Sequence, residues 1–222
     1  MTEIVRQIPD WLIPALILIL SIFAVAIIVD RARLLLSRIK SIDISEERKL
    51  LDLVRGRRLD EAVAYCRERR HPAFAVAITL IESGRRGLNL ESAAESETHR
   101  ATSYLKRYLQ TLGTISTIAP LLGLLGTVTG MIKSFHAFDE DKVQNAQLVG
   151  GIDEALITTA LGLIVAIPTL TAYNYFANRV NQIAAETTLL SDQISEELAR
   201  QRDAESARAA TASAATGTTN NA

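Results

Sequence analysis

The sequence predicts an all-α membrane protein with three transmembrane helices, the second and third extended into the cytoplasm. Three observations carry this. Residues 11–29, 108–132 and 155–178 contain no charged side chain. At ~1.5 Å rise per residue each stretch can cross a ~30 Å hydrocarbon core. Basic residues are concentrated in one place: seventeen of the 24 Lys and Arg lie between Arg31 and Arg107, one precedes the first stretch, and only Lys133 and Lys142 lie between the second and third. By the positive-inside rule the segment 31–107 is then cytoplasmic, the N-terminus and the 136–151 loop lie outside, and the chain after Arg179 is inside again. Finally, the polar regions show helical three-four spacing and no strand-like alternation.

In order, residues 1–10 form an outer N-terminus in which Asp10 is a plausible helix cap, followed by Trp11 at interface depth. The first span covers 11–30, with Pro14 in its opening turns, where a missing N–H costs least. Ala24-Val25-Ala26 offers a nominal leader-cleavage site. The flanks argue for an uncleaved span, because Arg31, Arg33, Arg38 and Lys40 follow the block rather than precede it. Asp30-Arg31 reads as a solvated helix end.

The cytoplasmic region 31–107 reads as short amphipathic helices. Leu50, Leu51, Leu53 and Val54 form an apolar cluster that Gly56 breaks, Leu59 opens a second helix, and Pro72 opens a third that ends at Ser83-Gly84. The region is too short for a large core of its own. His71 reads as a loop residue, and the lone Cys66 as a buried structural thiol, since one cysteine makes no disulfide within a chain.

From Leu90 one continuous helix is expected through the second span, 108–135, with Pro120 inside it and Ser116 and Thr117 placed to compensate the lost hydrogen bond. The loop 136–151 carries Asp139, Glu140 and Asp141 without calcium-loop spacing. The third span, 152–178, contains Pro168. Its cytoplasmic extension, 179–202, continues an apolar seam through Val180, Ile183, Thr187, Leu190, Ile194 and Leu198, which needs a packing partner. Residues 203–222, rich in Ala, Ser and Thr, are expected to be disordered.

The spans carry more than a lipid anchor requires. Gly123, Gly126, Thr127 and Gly130 share one face of the second, and Ala155, Thr158, Thr159, Gly162, Ala166 and Thr169 one face of the third. Small residues permit close helix approach in lipid, and hydroxyls add hydrogen bonds, so both stripes should face protein or an ion path. Thr127 and Thr159 are expected at similar depth on antiparallel neighbours, with Glu154 at the outer rim. A hydroxyl can line a hydrated path but does not titrate. A proton path would therefore need its central acid from another chain. Packing without conduction, a passive helical scaffold, is the competing reading. No nucleotide loop, metal-ligand spacing, nucleophile-base arrangement or paired catalytic carboxylates occur, so neither an enzyme, a metal nor a cofactor is expected. Nucleic acid is not an expected partner; membrane lipid is.

The segment from Ala119, APLLGLLGTVTGMIKSF, followed by a polar loop and GIDEALITTALGLIVAIPTLTAYNYFANR, resembles the ExbB/TolQ/MotA family of ion-driven motor subunits, and most closely its ExbB/TolQ branch. The resemblance covers about residues 118–179, and more loosely DEAVAYCRER and HPAFAVA. It implies a homopentamer in the bacterial inner membrane, N-terminus periplasmic and C-terminus cytoplasmic, around two copies of a single-span ExbD/TolR-like protein that supplies a titrating aspartate. It further implies that the proton motive force is converted into mechanical work on the envelope through a TonB- or TolA-like protein. By motif, Thr127 and Thr159 would line the ion path, Glu154 would be the acid at its outer end, and Pro120 and Pro168 the helix prolines. The missing large insertion between spans sets the chain apart from the flagellar-stator branch. ExbB-like, TolQ-like and surface-motility roles remain open at this point, as does proton against sodium.

Overall fold

The computed structural model describes residues 9, 11–39, 42–139 and 145–218. Among these the chain is helical: α1 (Leu12–Ala32), a wider π-helical segment (Arg33–Arg38), α2 (Ile44–Arg55), α3 (Leu59–Arg67), α4 (Pro72–Arg85), α5 (Leu90–Lys106), α6 (Leu109–Asp139) and α7 (Asn145–Thr218). Three stretches among the described residues are long and apolar enough to cross a membrane: Leu12–Leu35, Leu90–Phe135 and Ile152–Thr211. Asp10, Glu140 and Asp141 lie outside the described residues.

The described residues group into two compact units. The first comprises the chain up to Leu34 together with Lys106–Asn178; the second comprises Leu35–Leu105 and the chain from Arg179.

In the first unit α1 packs against α6, burying Ile13, Ile17 and Ala24, while Leu18, Ile22 and Phe23 on its other side stay exposed. An apolar helix whose outer face finds no protein partner is what a lipid-facing span requires. Arg31 is not the solvated residue its position suggested. It is only 2% exposed, with its Nε 3.4 Å from the Asp30 carboxylate and its guanidinium 4.7 Å from the centre of the Tyr108 ring. A delocalised cation loses less on leaving water when an aromatic face and a carboxylate replace its hydration.

The expected continuous helix from Leu90 is interrupted by a turn at Arg107-Tyr108. Nor do Ser116 and Thr117 repair the gap at Pro120. Their hydroxyls both donate to the Gly113 carbonyl, at 2.7 and 3.1 Å. Short hydroxyl side chains reach back three or four residues, upstream of the Ser116 carbonyl that the proline leaves without its usual donor.

In the second unit the seam on α7 finds its partner. Leu190, Ile194 and Leu198 pack with Leu50 and Val54 of α2, Cys66 of α3, Phe74, Leu80 and Ile81 of α4, and Ala94 of α5. A region too short to enclose a core alone is completed by a helix more than a hundred residues away. Burial pushes the Cys66 thiol up to about 12, which keeps it protonated and inert. His71 is no loop residue: it is the N-cap of α4, 6% exposed, and its Nδ1 accepts from the Ala73 N–H at 3.2 Å. The expected loop 136–151 is helical up to Asp139 and again from Asn145, and the tail from Asp203 continues as helix to Thr218 instead of being disordered. Alanine is the strongest helix former, so an Ala-rich tail can remain helical while residues 203–211 stay exposed.

Candidate ion path

The geometry begins with glycine. A Cβ built on Gly162 of α7 would lie 2.7 Å from the Ala119 carbonyl oxygen and 3.2 Å from the Gly123 Cα. A Cβ on Gly123 would stand 3.0 Å from the Thr159 Cα, and one on Gly126 only 2.4 Å from the Thr158 methyl. The two stripes therefore face one another, and at Gly123 and Gly162 α6 and α7 meet backbone to backbone.

That approach places Thr159 within reach of the opposite main chain. Its Oγ1 donates to the Gly123 carbonyl at 2.9 Å. Thr127 Oγ1 donates to the Leu124 carbonyl of its own helix at 2.8 Å. Both side chains are half-buried. Thr159 is level with Gly123, so Thr127 stands four residues, about 6 Å, further along α6; the two are neighbours by a turn rather than at one depth. Each has donated its only hydroxyl hydrogen to a carbonyl, and what it can still offer is a lone pair. Such a pair suits a cation, or waters that donate hydrogen bonds, and gives nothing to an anion.

Glu154 is exposed, one turn before Thr158, which is buried and donates to the Glu154 carbonyl at 2.9 Å. Glu154 and Lys133 both line a cavity of about 110 Å³, together with Thr129, Ser134 and Thr158. Thr129 and Ser134 were not singled out by sequence reasoning. Their three- and four-residue offsets from Gly126 and Gly130 on one face of α6 were the available signal. Their hydroxyls donate to the Leu125 and Gly130 carbonyls. Gly130 is half-buried and Pro120 also, whereas Pro168 is exposed.

Fold and site together define a polytopic helical membrane protein whose second and third spans meet through small residues and present acceptor hydroxyls. The sequence model of the MotA/TolQ/ExbB proton channel family matches residues 67–189, more than half of the chain and including every residue of this contact. The chain belongs to that family. It is 32% identical over 163 residues to biopolymer transport protein ExbB-like 3 of Synechocystis, covering 70% of this chain and 76% of that one. It is 37% identical over 123 residues to the Tol-Pal system protein TolQ of Haemophilus influenzae, covering 55% and 51%. Biopolymer transport protein ExbB of Salmonella typhimurium is 41% identical over 83 residues, 37% of this chain and 34% of that one.

Proposed function

We propose that this chain is the channel and stator subunit of an inner-membrane motor that converts the proton motive force into mechanical work on the cell envelope, in the manner of ExbB. The observation that carries the proposal is the pair Thr127 and Thr159. Thr159 sits at the close contact of the second and third spans and Thr127 directly follows Gly126 of that contact; both lie within the segment matched by a proton channel family, and both present lone pairs. Neither can bind and release a proton, so the titrating group comes from elsewhere: two copies of a single-span ExbD/TolR-like protein, each bringing an aspartate, held by five copies of this chain. Glu154 is the acid at the outer end of the path. The N-terminus is periplasmic and the C-terminus cytoplasmic, and a TonB-like protein takes up the work. The relative covered over 76% of its length is an ExbB-like protein, which supports the ExbB role over the TolQ one.

The test is proton flux into vesicles holding the chain co-purified with its single-span partner. Thr159→Val keeps the shape but removes the oxygen, and is expected to abolish flux while the complex retains its native mass. Thr159→Ser keeps the oxygen and should retain most of the flux. Undiminished flux in the valine variant would remove Thr159 from the path, and absence of flux in the unsubstituted complex would favour a passive scaffold.

A further inference from the structure

The second unit contains a polar cluster that the ion path does not use. On α7, Arg179, Gln182 and Glu186 share one face. Arg179 donates to the Gln182 side-chain oxygen at 2.9 Å, and Gln182 donates to Glu186 Oε1 at 3.2 Å. This row holds Ile39, which follows the π-helical turn, and Ile42, which precedes α2. Arg179 donates to the Ile39 carbonyl at 3.2 Å, and the Ile42 N–H donates to Glu186 Oε2 at 3.3 Å. The same Oε2 faces His71, whose Nε2 is 3.3 Å away in poor hydrogen-bond alignment.

His71 is thus hydrogen-bonded at Nδ1 and faces a carboxylate with Nε2. Because Nδ1 accepts from the Ala73 N–H, the neutral ring carries its hydrogen on Nε2, toward the carboxylate. A second proton has only Nδ1 to occupy. There it removes the cap from the first turn of α4 and places a positive charge at the positive end of the helix dipole. It also strengthens the ring's claim on Glu186 Oε2, in competition with the Ile42 N–H.

We propose that His71 is the pin of an acid-sensitive latch: at neutral pH its ring caps the start of α4 and leaves Glu186 Oε2 to the Ile42 N–H, and protonation of the ring gives up both contacts. The charged groups facing the ring are Glu186 and Arg179 of α7 and Glu46 of α2. Glu46 is itself paired with Arg69 at 3.1 Å. Burial lowers the His71 value below 6.5, with Glu186 acting against it and Arg179 with it. The unfolded chain therefore binds this proton more readily than the folded one. The stabilisation is complete above pH 6.5 and is lost as pH falls through the folded value. With the cytoplasmic placement proposed above, on which this role rests, acid arriving on the inner side would loosen the unit attached to the ion-path helix.

Hydrogen exchange of the full chain in detergent, followed by mass spectrometry and corrected for intrinsic rates, reads the latch without any ion flux. The Ala73 and Ile42 amides are expected to lose about tenfold in protection for each pH unit between 6.5 and the folded value, and no more below it. His71→Gln, whose amide can serve both contacts but does not titrate, should keep protection constant over the same range. Should that variant fold poorly, His71→Asn preserves the cap and should make the Ala73 amide insensitive to pH. Constant protection in the wild type, or an equal loss in the variants, would overturn the latch and leave the Thr159 experiment untouched.

Discussion

The two units are built from the same helical material and are held together by opposite means. In the first, the decisive contacts are made where side chains are missing: Gly162 against the Ala119 carbonyl and Gly123. In the second, they are made by the largest apolar side chains available, with Leu50, Leu80, Ile81 and Ile194 all fully buried. Lipid offers helices no hydrophobic reason to associate, so close approach and interhelical hydrogen bonds must serve. In water, burial of apolar area is itself the driving force. The helix α7 takes part in both arrangements, meeting the first with Gly162 and Thr158 and the second with Ile183 and Leu190.

This contrast can be broken by substitution, and the largest effect should come from Gly162→Leu. Since the obstacle is backbone, which has no rotamer to yield, the spans should fail to pack, and size-exclusion chromatography of the detergent-purified chain should show loss of the native peak. Even Gly162→Ala should lower its yield. Ile194→Ala comes next. It should cost about 2–5 kcal/mol in the second unit by denaturant titration, while the glycine contacts of the first unit stay intact. Smallest, and opposite in sign, is Gly84→Ala. Its new Cβ would meet Leu198 Cδ1 at 3.4 Å, an ordinary contact, and replacing a glycine in the last turn of a helix, where alanine can adopt the same backbone, should stabilise by about 0.4–1 kcal/mol. If Gly84→Ala harmed the chain as much as Gly162→Ala, glycine would be serving one purpose in both units and the contrast would fail.

Much of this was legible in the residues because it is periodic. The spans, the glycine stripes and the orphan seam from Val180 to Leu198 all follow from spacing along single helices, and the seam announced a partner before one was seen. Interactions across long sequence separations were not legible. Nothing near His71 in the chain hints at Glu186, which lies 115 positions away, and so a buried cap was read as a loop. Arg31 was misjudged for the same reason, its Tyr108 partner lying beyond the whole intervening region. The interruption at Arg107-Tyr108 escaped because neither Gly nor Pro marks it. At the site, residue types located Thr127 and Thr159, but only the Gly123 carbonyl reveals where the Thr159 hydrogen goes.

The burial pattern of α7 carries one further consequence. From Ala155 through Thr158, Gly162, Ala166, Thr169, half-buried Tyr173, Phe176, Val180, Ile183, Thr187, Leu190 and Ile194 to Leu198, the inward positions advance by threes and fours without a break. The helix therefore has a phase as well as a length. Each residue turns it by about 100°, so deleting one between Thr169 and Phe176 would rotate every later side chain out of its place. Inserting seven would displace the pattern by only about 20°. The helix can therefore change length with little disturbance only near whole numbers of turns, by seven or eleven residues and not by one or two.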